Sequence, residues 1–150
     1  MISPTPERIF HIATAADWRR TLDSGTYTTS TVGRTLEEEG FIHASRRDQV
    51  QGVFDRYYAS LGEDLVLLTI DTARLTDAEV RVEAVGADTY PHVYGPIDRR
   101  AVVDVVPLNR RGGAETLLSL WIQNMAVRMG IALVVMVVVV AVVLGAQALS

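Results

Sequence analysis

The residues of this 150-residue chain best suited to hydrogen bonding and proton transfer near neutral pH are its three histidines. His11, His43 and His92 stand in IFHIAT, GFIHAS and YPHVYG, each among apolar, aromatic or turn residues. A histidine in or at the end of an apolar strand points either into the core or into a pocket. Taken singly, each reads as a hydrogen-bonded structural group. That all three share the setting leads us to expect at least two of them in one cleft, as donors, acceptors or acid–base groups. Their spacings of 32 and 49 residues match no local ligand motif such as H-E-x-x-H, so no metal site is expected.

Three further features could carry chemistry. Glu83 in VRVEAV alternates to the same face as Arg81 and Val85, either as a functional carboxylate or as an exposed acid beside Arg81. Tyr94 and Gly95 follow His92 between Pro91 and Pro96, which suggests a stiffened turn or loop leading into a new segment. Arg46 follows Ser45 at a helix start and is either a solvated side chain or a contact for an anionic ligand there. The chain has no cysteine, which excludes disulfides, Cys-ligated zinc and a thiol nucleophile. It shows no phosphate loop, dinucleotide glycine fingerprint, G-x-S-x-G elbow or DNA-binding motif. All 14 basic residues are arginine, and the formal net charge of −4 argues against broad duplex nucleic-acid binding.

Short elements must position these groups. RIFHIA, Arg8 to Ala13, reads as a strand, and Thr14 with Asp17 marks the start of a helix that carries Ala15, Trp18 and Leu22 on one face and ends at Gly25. A second helix is expected from Thr31 to Glu39, closed by Gly40, then a strand FIHA and a capping box from Ser45 to Asp48. Val50, Val53, Phe54, Tyr57, Tyr58 and Leu61 trace an apolar helical face that ends at Gly62. Leu65 to Ile70, Val80 to Val85 and Ala101 to Val106 read as strands. Two strand–helix units followed mostly by strands predict an α+β domain over residues 1–108.

Residues 109–128, with NRRGG at their start, read as a linker and juxtamembrane segment, and 129–147 as one C-terminal transmembrane helix. Met129 to Ala146 carry no charge and would span about 27 Å as a helix, close to the hydrocarbon thickness. Arg110, Arg111 and Arg128 precede the span, nothing charged follows it, and the first 20 residues lack the pattern of a signal peptide. The expectation is a tail-anchored, single-pass protein of the cytoplasmic membrane, its N-terminal domain in the cytoplasm and its partner the lipid bilayer.

In these segments the chain resembles a bacterial family known as domain of unknown function 952. The resemblance rests on I-F-H-I at Ile9 to Ile12, Trp18, G-x-Y at Gly25 to Tyr27, E-G-F-I-H-x-S at Glu39 to Ser45, the acid Glu83, and P-H-x-Y-G at Pro91 to Gly95. It covers about Arg8 to Pro107. That family in turn resembles the ADP-ribosyltransferase superfamily, in particular its RNA 2'-phosphotransferase branch. The resemblance implies an ADP-ribosyltransferase-like small domain that uses NAD, without a metal. It assigns His11 to the nicotinamide ribose, His43 with Ser45 to the nicotinamide pocket, and Glu83 as a candidate catalytic acid. Tyr27, Ser45, Arg46, His92 and Tyr94 would then surround the ligand. Breaking a nicotinamide glycosidic bond develops positive charge on the ribose, which calls for fixed donors and a nearby negative group. The competing expectation is a non-catalytic module, tethered to the membrane, that binds a nucleotide-like small molecule.

Overall fold

The computed structural model describes residues 5–108, a mixed α+β domain built on two antiparallel three-stranded sheets. The first sheet has the order β1-β6-β10, formed by Arg8–Thr14, Leu65–Asp71 and Val102–Leu108. Its central strand, LVLLTID, is buried from Leu65 to Ile70, as an unbroken apolar run with neighbours on both edges should be. The register sets Ile9, His11 and Ala13 of β1 opposite Ile70, Leu68 and Val66 of β6, so His11 stands on the face that carries the hydrophobic core.

The second sheet has the order β5-β8-β7, formed by Ile42–His43, Asp88–Tyr94 and Glu79–Val85. Period-two alternation divides its residues. Ile42, Val93 and Val80 lie abreast and pack toward the core, while His43, His92 and Arg81 lie abreast on the opposite face. Phe10 and Ser45 join the two sheets through reciprocal backbone bonds of 2.9 and 2.8 Å.

β8 occupies the position where a turn or loop was expected, with Pro91 inside a central strand. Proline is tolerated because the Pro91 carbonyl accepts from Ala44 N at 3.0 Å on the β5 side. A residue's N–H and C=O point to the same side of a strand, so the missing donor faces the place where β5 has already ended, and the ladder to β7 is intact.

The helix starts read from sequence need two corrections. Thr31 to Glu39 is not one helix. Thr29–Thr31 (β3) and Arg34–Thr35 (β4) form a hairpin, and only Leu36–Glu39 (α2) is helical, capped by Thr35 and Glu38 and closed by Gly40. Ser45 does not cap a helix, because its backbone is committed to Phe10. The short 3₁₀ turn Arg47–Gln49 starts one residue later, with Gln49 Oε1 accepting from Arg46 N at 2.9 Å.

The remaining helices follow the periodicity more closely. Thr14 caps Ala15–Ser24 (α1), which ends on Gly25 with φ of 88°, although Leu22 is exposed. Val50–Tyr57 (α3) buries Val50 and Phe54 and stops before Leu61. Thr26–Tyr27 (β2) pairs with Ile97–Asp98 (β9), which buries Tyr27 in the core. No helix among the described residues is long and apolar enough to cross a membrane, and the segment 129–147 lies outside them, as does the linker 109–128.

Candidate functional site

The polar face of the second sheet and α3 enclose a cavity of about 400 Å³. Its walls include Phe10 of β1, His43, Tyr90 and His92 of the sheet, and Val53 and Tyr57 of α3. Asp48, Gln49, Arg56 and Asp88 line it as well, so the wall mixes aromatic with polar and charged groups, and the volume lies toward the small end of the range of about 300–1,000 Å³ for small-molecule sites. Tyr57, 61% exposed, stands at its edge instead of in the core where the helical periodicity placed it.

His92 is the central group. Cross-strand register puts it diagonal to Glu83, and its Nδ1 lies 2.6 Å from Glu83 Oε2. The same oxygen accepts from the Tyr94 hydroxyl at 2.8 Å, and Arg81 lies over the Tyr94 ring at 4.4 Å. These bonds hold the Glu83 carboxyl below its ordinary value, the His92 contact contributing most, and the Tyr94 hydroxyl is raised by its bond to Glu83. An ionised carboxylate can only accept, so His92 Nδ1 carries a proton, and in the neutral ring Nε2 carries a lone pair.

His92 Nε2 is buried and has no hydrogen-bond partner. The side chain is 6% exposed, stacked on Phe41 at 4.3 Å and met edge-on by His43 at 5.3 Å. An unpaired buried polar atom costs about 1–3 kcal/mol. His92 is a residue of the cavity wall, and a ligand group that reached this atom would recover that cost. Imidazole backed by a carboxylate is suited to accepting a hydrogen bond or a proton.

The other two histidines divide between core and rim. His11 is buried in the core with both nitrogens engaged, Nδ1 at 2.6 Å from the His43 carbonyl and Nε2 at 2.8 Å from the Tyr27 hydroxyl. Burial pushes its pKa down from 6.5 to about 4 and raises that of Tyr27. His43 leaves 47% of its side chain exposed beside Glu39, and burial of the remainder, followed by the nearby His92, lowers its pKa. The expectation that two histidines share a cleft is met by His43 and His92, whose rings touch in the cavity wall. His11 reaches the same wall, but its ring nitrogens are turned to protein partners.

Among the other residues singled out by sequence, Ser45 lines the cavity, whereas Tyr27, Glu83, Arg46 and Tyr94 do not. Glu83 and Tyr94 stand behind His92. The Arg46 guanidinium is taken up within the protein, by the Thr89 carbonyl at 2.5 Å and Asp88 at 3.0 Å, and it clamps the turn after β5 to the start of β8. Phe10, Phe41, Val53, Tyr57 and Tyr90 carried no signal as site residues. Only their aromatic or apolar type could have suggested them, and core residues share it. Among the described residues, no three His, Asp or Glu side chains converge as a metal-ligating group.

Fold and site together define a small α+β domain with antiparallel sheets and an aromatic, histidine-bearing cavity. The chain belongs to the family described as Protein of unknown function (DUF952), which it matches over residues 12–105. It is similar to protein CC0527 from Caulobacter crescentus. The crystal structure of that protein is 26% identical, covers 68% of this chain and 86% of its own, and superposes with a TM-score of 0.57. A double mutant of the same protein is 25% identical over the same shares, with a TM-score of 0.59. Its solution structure is 26% identical, covers 69% of this chain and 88% of its own, and gives 0.52. No curated protein matches the chain.

Proposed function

We propose that the cavity binds a small nucleotide-like ligand, with NAD or an ADP-ribose-bearing relative as the candidate. The observation that carries this reading is the buried, partnerless Nε2 of His92, a residue of the cavity wall. A volume of about 400 Å³ suits one nucleoside-sized moiety better than a whole dinucleotide, so the nicotinamide–ribose end would enter and the remainder would lie outside. Phe10, Tyr57 and Tyr90 offer surfaces for a planar ring. His92 and His43 offer nitrogen atoms for an amide or a ribose hydroxyl, and His11 holds the wall in place through the His43 carbonyl.

A second reading is ADP-ribosyl transfer from NAD, implied by the resemblance and favoured by one feature, the ionised Glu83 beside His92. A negative group near the ribose would steady the charge that develops as the glycosidic bond breaks. On either reading the domain would be tethered to the cytoplasmic face of the membrane by residues 129–147, which would put it close to lipid and leave the cavity open to cytoplasmic solutes.

Calorimetric titration of NAD, ADP-ribose and nicotinamide into the full-length chain tests the proposal. Saturable binding of at least one of them is expected, and free nicotinamide accumulating from NAD would favour transfer over binding alone. Absence of binding by all three at millimolar concentration would contradict the ligand assignment.

A further inference from the structure

We propose that Glu83, steadied by Tyr94, fixes His92 as a hydrogen-bond acceptor toward the cavity, so that the site selects ligands presenting an O–H or N–H donor and rejects anions at that point. The role of Glu83 stands on geometry alone, and only the choice of probe ligand rests on the nucleotide reading. Glu83 is a positioning residue. It lies outside the cavity wall, and its Oε2 takes the Nδ1 proton of His92 across 2.6 Å.

Four observations support this role. The Nδ1 edge of the ring is turned to Glu83, which does not line the cavity, while His92 itself is part of the cavity wall. Nε2 meets no protein donor or acceptor. The ring cannot readily flip, because Phe41 stacks on one side at 4.3 Å and His43 abuts it at 5.3 Å. Tyr94 spends its hydroxyl proton on the same Glu83 oxygen, 2.8 Å away, and Arg81 covers the Tyr94 ring, so the carboxylate is itself held from behind. With Nδ1–H committed, a neutral His92 offers only a lone pair at Nε2, and a lone pair attracts a donor and repels a carboxylate or phosphate oxygen. A carboxamide or a sugar hydroxyl fits that requirement, and a carboxylate in the same place does not.

The test is a long-range ¹H–¹⁵N correlation spectrum of the full-length chain labelled at its three histidines, with His92→Gln identifying the His92 signals by their loss. With the ring neutral, the wild type is expected to show a protonated Nδ1 and an unprotonated Nε2 at His92. Glu83→Ala is expected to move the proton largely to Nε2, and Tyr94→Phe to preserve the wild-type form. Nicotinamide and nicotinate then serve as paired probes that differ in a donor amide against an anion. Nicotinamide should bind about tenfold tighter or more and shift the Nε2 resonance.

A wild-type His92 protonated at Nε2, a tautomer unchanged by Glu83→Ala, or nicotinate binding as well as nicotinamide would overturn the proposal. If neither probe binds, the nucleotide reading and the choice of ligand fail together. The wild-type tautomer still decides the role of Glu83, whether or not the variants fold.

Discussion

Tyr27 donates its hydroxyl proton to His11 Nε2 across 2.8 Å inside the core, and the direction of that bond follows from the other end of the imidazole. His11 Nδ1 faces a carbonyl oxygen, that of His43 at 2.6 Å, and a carbonyl can only accept, so the ring proton sits on Nδ1. Burial keeps the ring neutral, and Nε2 therefore takes the tyrosine proton. One side chain on β1 thus ties β2 and β5 together. The first histidine of the sequence is a structural strut under the cavity, and His92 is the histidine with an unfilled bond.

His11→Phe should lower the melting temperature by about 10 °C. It leaves the His43 carbonyl without its donor and the Tyr27 hydroxyl proton without its acceptor, each at about 1–3 kcal/mol, and each kcal/mol shifts a domain of this size by a few degrees. Tyr27→Phe, which leaves only His11 Nε2 unpaired, should cost less than half as much. Thermal melts followed by circular dichroism check both. A His11→Phe variant that melts with the wild type would show that the strut bears no load.

The same residue sets an acid limit on stability. Folded His11 titrates at about 4 against 6.5 when unperturbed, so between those values the unfolded chain binds a proton that the folded chain does not. Stability therefore rises with pH across that window. The contribution is complete above pH 6.5 and is lost as pH falls toward 4, by about 3 kcal/mol in total. His43, lowered in the same direction, adds to the fall. Urea unfolding at a series of pH values should show a steeper slope between pH 4 and 6.5 in the wild type than in His11→Phe. Equal slopes would contradict the assignment.

Gly95→Ala should destabilise the domain by about 3 kcal/mol or more. Gly95 has φ of 141°, a conformation that costs about 1–3 kcal/mol for other residues, and an added Cβ would stand 2.3 Å from the Asp77 carbonyl oxygen, a backbone atom with little freedom to retreat. This glycine lets β8 pass close against the start of β7, which keeps Tyr94 and Glu83 within reach of one another. Chemical denaturation measures the loss, and a cost below about 1 kcal/mol would mean that the chain at Asp77 relaxes freely.

The C-terminal segment yields a separate expectation from sequence. The full-length chain should remain with membranes after alkaline carbonate washing, and Val138→Arg should weaken insertion by about 2.5–3.5 kcal/mol if that position lies at the bilayer centre. Release of the wild-type chain by carbonate would contradict the anchor.

How far the sequence disclosed this arrangement varies with the element. β1, β6 and β10 were legible because each is a short, mostly apolar run, and α1 because Thr14, Asp17 and Gly25 mark both ends chemically. The shared face of Arg81 and Glu83 followed from simple alternation. The hairpin before α2 was hidden because charged residues from Arg34 to Glu39 extend a helical pattern backwards over Thr31 to Gly33. The β-branched threonines and the positive φ of Gly33 instead favour a turn between strands. β8 was hidden by Pro91, whose harmlessness depends on where β5 ends, a non-local fact. The site was half legible. His43 and His92 stood out by their apolar settings, yet nothing local distinguishes them from His11, because a strand's two faces are assigned by its partners and not by its own residues.

The most direct measurement of the central claim is the affinity of the full-length chain for NAD and ADP-ribose, by calorimetric titration, in the wild type and in His92→Ala, with a melting curve for each. Removing the group whose Nε2 awaits a ligand donor should weaken binding about 5-fold to 150-fold, corresponding to about 1–3 kcal/mol. Nε2 has no bond within the protein to lose, so a fall in melting temperature reflects the Glu83 bond and the Phe41 stacking that the substitution also removes, and it is read against Glu83→Ala, which removes the same bond and keeps the ring. Equal affinity in wild type and His92→Ala, or a loss of binding that only tracks a large fall in melting temperature, would contradict the assignment of His92 as the ligand-binding histidine.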